Sequence, residues 1–137
     1  MTRIATSLCL AGLLTLLAGC GTQASNRITL RPQGDPRLDT PNGSLQDDIE
    51  IDPGRSRALY EGDILVGKVT LVSHETEKQS FEYRWLWYDS DDFQSSIGGG
   101  GETWQQQWIN AEDEVQVQGR ATTPGCVAGR FELRYKE

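Results

Sequence analysis

The chain has 137 residues, with 20 acidic and 13 basic side chains, one histidine and a formal charge of −7. That acidity argues against nucleic acid or an anionic lipid surface as partner, because both demand clustered Lys and Arg. The length allows one small domain and not two.

At the amino terminus a single positive charge, Arg3, precedes an apolar run from Leu8 to Ala18, and no acidic residue occurs before Asp35. The run falls short of the ~20 residues needed to cross a bilayer, so it reads as a secretory signal that is cut away. Its end, Leu17-Ala18-Gly19-Cys20, resembles the lipobox of bacterial lipoproteins, in which the cysteine receives the lipid. The plain alternative is an ordinary signal peptide with an incidental cysteine. Acyl chains on Cys20 would moor the protein to a membrane, since each buried methylene contributes about 0.8 kcal/mol. Gly21 stands where an aspartate tends to retain lipoproteins at the inner membrane, so the resemblance implies the outer membrane with the domain facing the periplasm. With Cys9 removed and Cys20 acylated, Cys126 is left without an intramolecular disulfide partner. It is expected as a small buried residue near the Pro124-Gly125 turn.

The sequence predicts three segments: a lipoprotein signal peptide over 1–19, a lipidated, flexible tether over 20–46, and a β-sandwich domain over 47–137. The tether is rich in Ser, Asn, Gly, Pro and Asp, with room for a short edge strand at Arg27 to Arg31 where Ile28 and Leu30 alternate with polar residues. Stretched out, a tether of this length would reach about 80 Å. Asn42-Gly43-Ser44 is read as a turn. Ile49 and Ile51 mark a short strand from Asp48 to Asp52, after which Pro53-Gly54 is expected to turn the chain. Arg55 to Tyr60 is ambiguous between strand and loop. From Asp63 to Ser73 both parities carry aliphatic residues, as a central strand requires. The charged link His74 to Lys78 has hairpin length, so this strand is expected to pair with the next one.

That next strand has Phe81, Tyr83, Trp85 and Trp87 on every second residue, one face of a β-strand. Each such ring removes roughly 150 to 250 Å² from water when buried, so this strand should dominate the core. Gly98 to Gly101 has too much backbone freedom for regular structure and is read as a flexible crossing between sheets. Trp104, Gln106 and Trp108 share one parity of a strand from about Thr103 to Ile109. Glu114 to Ala121 alternates cleanly, and Phe131, Leu133 and Tyr135 mark a last strand. Short strands at intervals of roughly ten residues predict an all-β, immunoglobulin-like antiparallel sandwich of six or seven strands.

The run Tyr83-Arg84-Trp85-Leu86-Trp87-Tyr88-Asp89 is similar to the Tyr-Arg-Phe-Tyr-Trp-Tyr-Asp signature of the YcfL family of small bacterial lipoproteins. The lipobox, the polar segment after it and the closing Phe131-Glu132-Leu133-Arg134-Tyr135 also follow that pattern, over about residues 60–137 plus the anchor. The resemblance implies a periplasmic β-sandwich lipoprotein with no established activity. The tetraglycine departs from the family pattern.

Catalytic chemistry has little to stand on. The only histidine, His74, falls at a charged turn, and no carboxylate pair is singled out. Asp89-Ser90-Asp91-Asp92 lacks the spacing of a calcium loop and reads as a strand-ending turn; one histidine and one free cysteine make no zinc site. No cofactor motif is present, since the glycine run opens no helix. The sequence therefore predicts a non-catalytic protein-interaction module whose partners are the membrane, through Cys20, and an envelope protein. The second reading is a peptidoglycan or glycan-binding module using Trp104 and Trp108, whose flat rings could stack on sugars beside the amides of Gln105, Gln106 and Gln107.

Overall fold

The computed structural model describes residues 24–95 and 103–136. The signal segment, Cys20 and the Gly98–Gly101 run lie outside them. Within the described residues the elements are β1 (Asn26–Leu30), β2 (Arg37–Asp39), α1 (Gly43–Asp48), β3 (Ile49–Glu61), β4 (Ile64–Ser73), β5 (Gln79–Asp89), β6 (Gln105–Ile109), β7 (Glu114–Arg120) and β8 (Cys126–Tyr135). They form two antiparallel sheets, ordered β2-β1-β8-β5-β6 and β3-β4-β7. This is the predicted all-β sandwich, and the period-two strands supply its interior.

The aromatic strand sits at its centre. Phe81, Trp85 and Trp87 are buried on the inner face of β5. The indoles of Trp85 and Trp87 stack with centroids 5.2 Å apart and planes 7° from parallel, and Phe131 of β8 meets Trp85 edge-on at 5.2 Å. The facing sheet makes room for these rings by omitting side chains. Gly67 of β4 and Gly119 of β7 are cross-strand partners, and a Cβ on either would stand 2.4 or 2.5 Å from atoms of the Trp85 indole. The ring lies flat over a two-glycine slot, a close approach that no other residue type permits.

Several expectations need correction. The span 20–46 is not wholly a tether: Asn26–Leu30 lies inside a sheet between β2 and β8, with Ile28 and Leu30 fully buried. It is thus an interior strand and not an edge. Residues 42–48 form a capped helical turn, where the Asn42 side chain accepts a hydrogen bond from Leu45 N at 3.2 Å. Pro53-Gly54 does not reverse the chain. β3 runs straight through it with a register shift between Asp52 and Arg57, which an edge strand tolerates because proline's missing N–H faces no partner. Side chains stitch the bulge: Ser56 Oγ donates to Asp52 O at 2.6 Å and accepts from Thr70 N at 3.1 Å.

The link His74 to Lys78 does not close a hairpin. β4 is flanked by β3 and β7, so β5 must join the other sheet, beside β6 and β8. β5 and β6 are neighbours in one sheet; the tetraglycine, read as a crossing between sheets, lies outside the described residues. Among the described strands the chain passes between sheets from β2 to β3, β4 to β5, β6 to β7 and β7 to β8.

Candidate functional site

The two faces of the five-stranded sheet differ because its strands alternate strictly. Inner positions feed the core; outer positions form cross-strand rows fixed by the register. One row reads Asp39, Arg27, Glu132, Arg84 across β2, β1, β8 and β5. Its charges alternate in sign, the arrangement that stabilises facing residues on a sheet. Arg27 Nη2 stands 2.6 Å from Asp39, and Arg84 Nε donates to Glu132 Oε2 at 2.7 Å. Glu132 is only 3 % exposed, and its arginine partner offsets the cost of burying it. In the next row, Arg134 Nε donates to Glu82 at 2.7 Å.

Trp104 joins this face. Its ring receives the guanidinium of Arg134 at 4.0 Å and that of Arg84 at 4.5 Å from the centroid. Trp108, opposite Ser80 at the sheet edge, is 51 % exposed with Lys78 Nζ 5.1 Å from its ring centre. Gln106 lies exposed between them, facing Glu82. The two tryptophans singled out in the sequence therefore share one surface, and basic side chains already rest on both rings.

A third row reads Arg37, Thr29, Arg130 across β2, β1 and β8. It contains no acid. Beside it lies a cavity of about 390 Å³ lined by these three residues with Arg31, Asp35, Tyr88, Asp92 and Ala128. A second cavity of about 270 Å³ lies on the other side of the same row, against Arg27 and Asp39. The Arg130 guanidinium rests 5.2 Å from the Tyr88 ring centre, and burial foremost raises the Tyr88 hydroxyl above its ordinary pKa. Sequence reasoning missed this row, whose members adjoin only through the register. Its one legible sign was the recurrence of Arg at outward positions of predicted strands.

Between the sheets, a cleft of about 290 Å³ opens beside Tyr83, Trp85, Trp87, Gln105, Gln118 and Arg120. Trp85 Nε1 is buried there and has no hydrogen-bond partner among the described residues.

The remaining candidates fall elsewhere. His74 is exposed, its Nε2 2.7 Å from Glu50. Asp89 Oδ1 accepts from Asp91 N at 2.9 Å and Phe93 N at 3.0 Å, which makes the acidic run a capped turn. Among the described residues no group of three or more His, Cys, Asp or Glu is placed to hold a metal ion. Cys126 is a free, buried thiol at the start of β8.

The sequence model of a family of proteins of unknown function, DUF1425, matches residues 37–135. The match begins at β2, inside the segment read from sequence as tether. A crystal structure of a DUF1425 family member from Shewanella sp. pv-4 is similar with a TM-score of 0.59 and 21% identity, over 80% of this chain and 96% of that one. The crystal structure of Campylobacter jejuni cj0090 gives a TM-score of 0.53 and 24% identity, over 61% of this chain and 84% of that one. At these identities the likeness concerns the fold. No curated protein matches the sequence.

Proposed function

The chain belongs to the DUF1425 family, whose function is unknown, and from that premise we propose that it is a lipid-anchored envelope protein whose β-sandwich binds a protein partner without catalysis. Within the family it falls with the YcfL lipoproteins, on the signature at Tyr83 to Asp89. Cys20 carries the acyl anchor, Gly21 directs the protein to the outer membrane, and the domain faces the periplasm. The single observation that carries the binding role is the outer face of the five-stranded sheet, where Trp104, Trp108, Arg84 and Arg134 lie together. Trp and Arg are the residue types that concentrate binding energy in protein interfaces.

The described fold also sets the reach. With β1 beginning at Asn26, five residues lie between it and Cys20, which allows at most about 20 Å between anchor and sheet. The partner is therefore met close to the membrane, and not at the 80 Å a long tether would permit.

Crosslinking in intact bacteria followed by pull-down tests this reading. A discrete protein should be enriched with the wild-type chain and depleted with Trp108→Ala. Enrichment of nothing above a Cys20→Ser control refutes it. The glycan-binding reading stands second, favoured by the half-exposed Trp108 beside Gln106. It is weakened by Lys78, which a sugar would have to displace from the ring. Co-sedimentation with isolated peptidoglycan that is lost on Trp108→Ala would reverse the order.

A further inference from the structure

We propose that the row Arg37, Thr29, Arg130 on the outer face of the five-stranded sheet is a binding site for the carboxylate of an amino acid or short peptide, held as a zwitterion. Adjacent strands lie about 4.8 Å apart, so the Cα atoms of Arg37 and Arg130 are about 10 Å apart with the Thr29 hydroxyl between them. Two long guanidinium side chains at that separation can close on one planar anion, and the guanidinium fork matches a carboxylate with two parallel hydrogen bonds.

The charges around this row are left open where the neighbouring row closes them. Every member of Asp39, Arg27, Glu132, Arg84 has an opposite charge within 2.7 Å. Arg37 has no ion pair among the described residues. Arg130 reaches Glu132 only at 3.2 Å, on a carboxylate that Arg84 already bonds, and its buried Nε has no hydrogen bond among the described residues. Its guanidinium is nonetheless held in place against Tyr88. Among the described residues Arg37 thus stands without a counter-charge and Arg130 shares one with Arg84.

The rim indicates the rest of the ligand. Arg31 is only loosely paired with Asp92, at 3.9 Å, and Asp35 completes the wall. Three arginines and two aspartates place both signs of charge around the cavity, which a zwitterion can match. The two aspartates offer acceptors for an ammonium group. A cavity of about 390 Å³ lies in the range of small-ligand sites, on the scale of an amino acid or dipeptide.

The test is calorimetry on the full-length chain in detergent, titrated with alanyl-alanine, its C-terminal amide, its N-acetyl form and inorganic phosphate. The free dipeptide should bind. The amide, and the dipeptide against Arg37→Gln, should each bind at least roughly tenfold more weakly, the loss of one charge-assisted pair. The N-acetyl form should bind more weakly than the free dipeptide. Arg37 is exposed and unpaired, so Arg37→Gln should melt with the wild type, whereas Arg130→Gln also disturbs Glu132 and is the second variant. No binding of the dipeptide, equal binding by Arg37→Gln, or phosphate binding as tightly as the dipeptide overturns the proposal. The site does not depend on the anchor, so a Cys20→Ser chain should bind equally, and failure here leaves the envelope reading standing.

Discussion

The two faces of β5 are built on opposite rules. Inward, Trp85 and Trp87 stack on each other and Trp85 fills a slot of two glycines, with Phe81 buried on the same face. Outward, Glu82, Arg84 and Tyr88 sit among arginines, carboxylates and two further tryptophans. The inner face is specified by shape, with no tolerance for one added carbon. The outer face is specified by charge pairing, and where a pair is missing the surface is open to a ligand. One strand thus carries both the fold and the candidate contacts, divided by parity.

Breaking the inner face should cost most. Trp85→Ala should destabilise by about 3–5 kcal/mol, read as a lower denaturant midpoint. Gly67→Ala inserts a methyl 2.4 Å from the Trp85 ring, and that ring is pinned by Trp87 and Phe131, so about 1–3 kcal/mol or more should be lost. A neutral Gly67→Ala would mean that the slot is looser than described. On the outer face, Arg84→Ala removes the closest partner of buried Glu132. Because Arg130 remains nearby, the loss should be about 2 kcal/mol, measured by the same denaturation.

A smaller effect sharpens the comparison at the sheet's end near Asn26. Tyr135 donates to Asp48 Oδ2, and burial foremost, with that carboxylate, pushes its hydroxyl up to about 12. An unfolded tyrosine titrates near 10. The native state therefore holds the proton more tightly. Its contribution is complete below about pH 10 and is lost as pH rises from there through about 12. Thermal melts across that window should fall more steeply for the wild type than for Tyr135→Phe; parallel curves would remove Tyr135 from the account.

What was legible in the sequence followed from local pattern. The period-two aromatics of β5 and the alternation of β7 and β8 predicted strands and an all-β sandwich because side chains alone report parity. Pairing did not follow: whether β4 meets β5 depends on which flank β3 and β7 occupy, and a five-residue charged link fits either answer. β1 was read as a short edge strand within a tether, because two aliphatics in five residues do not show that β2 and β8 flank it. Trp104 and Trp108 were visible as a same-parity pair, yet the basic side chains over their rings were not. Arg37, Thr29 and Arg130 become one row only when three strands are aligned.

The most direct measurement places a photoreactive side chain at position 108 in one strain and at Gln116, exposed on β7 of the other sheet, in a second. Irradiation of intact cells should join position 108 to one discrete envelope protein and leave position 116 without that adduct. An adduct of equal yield from position 116, or none from position 108, contradicts the assignment of contact to the outer face of the five-stranded sheet.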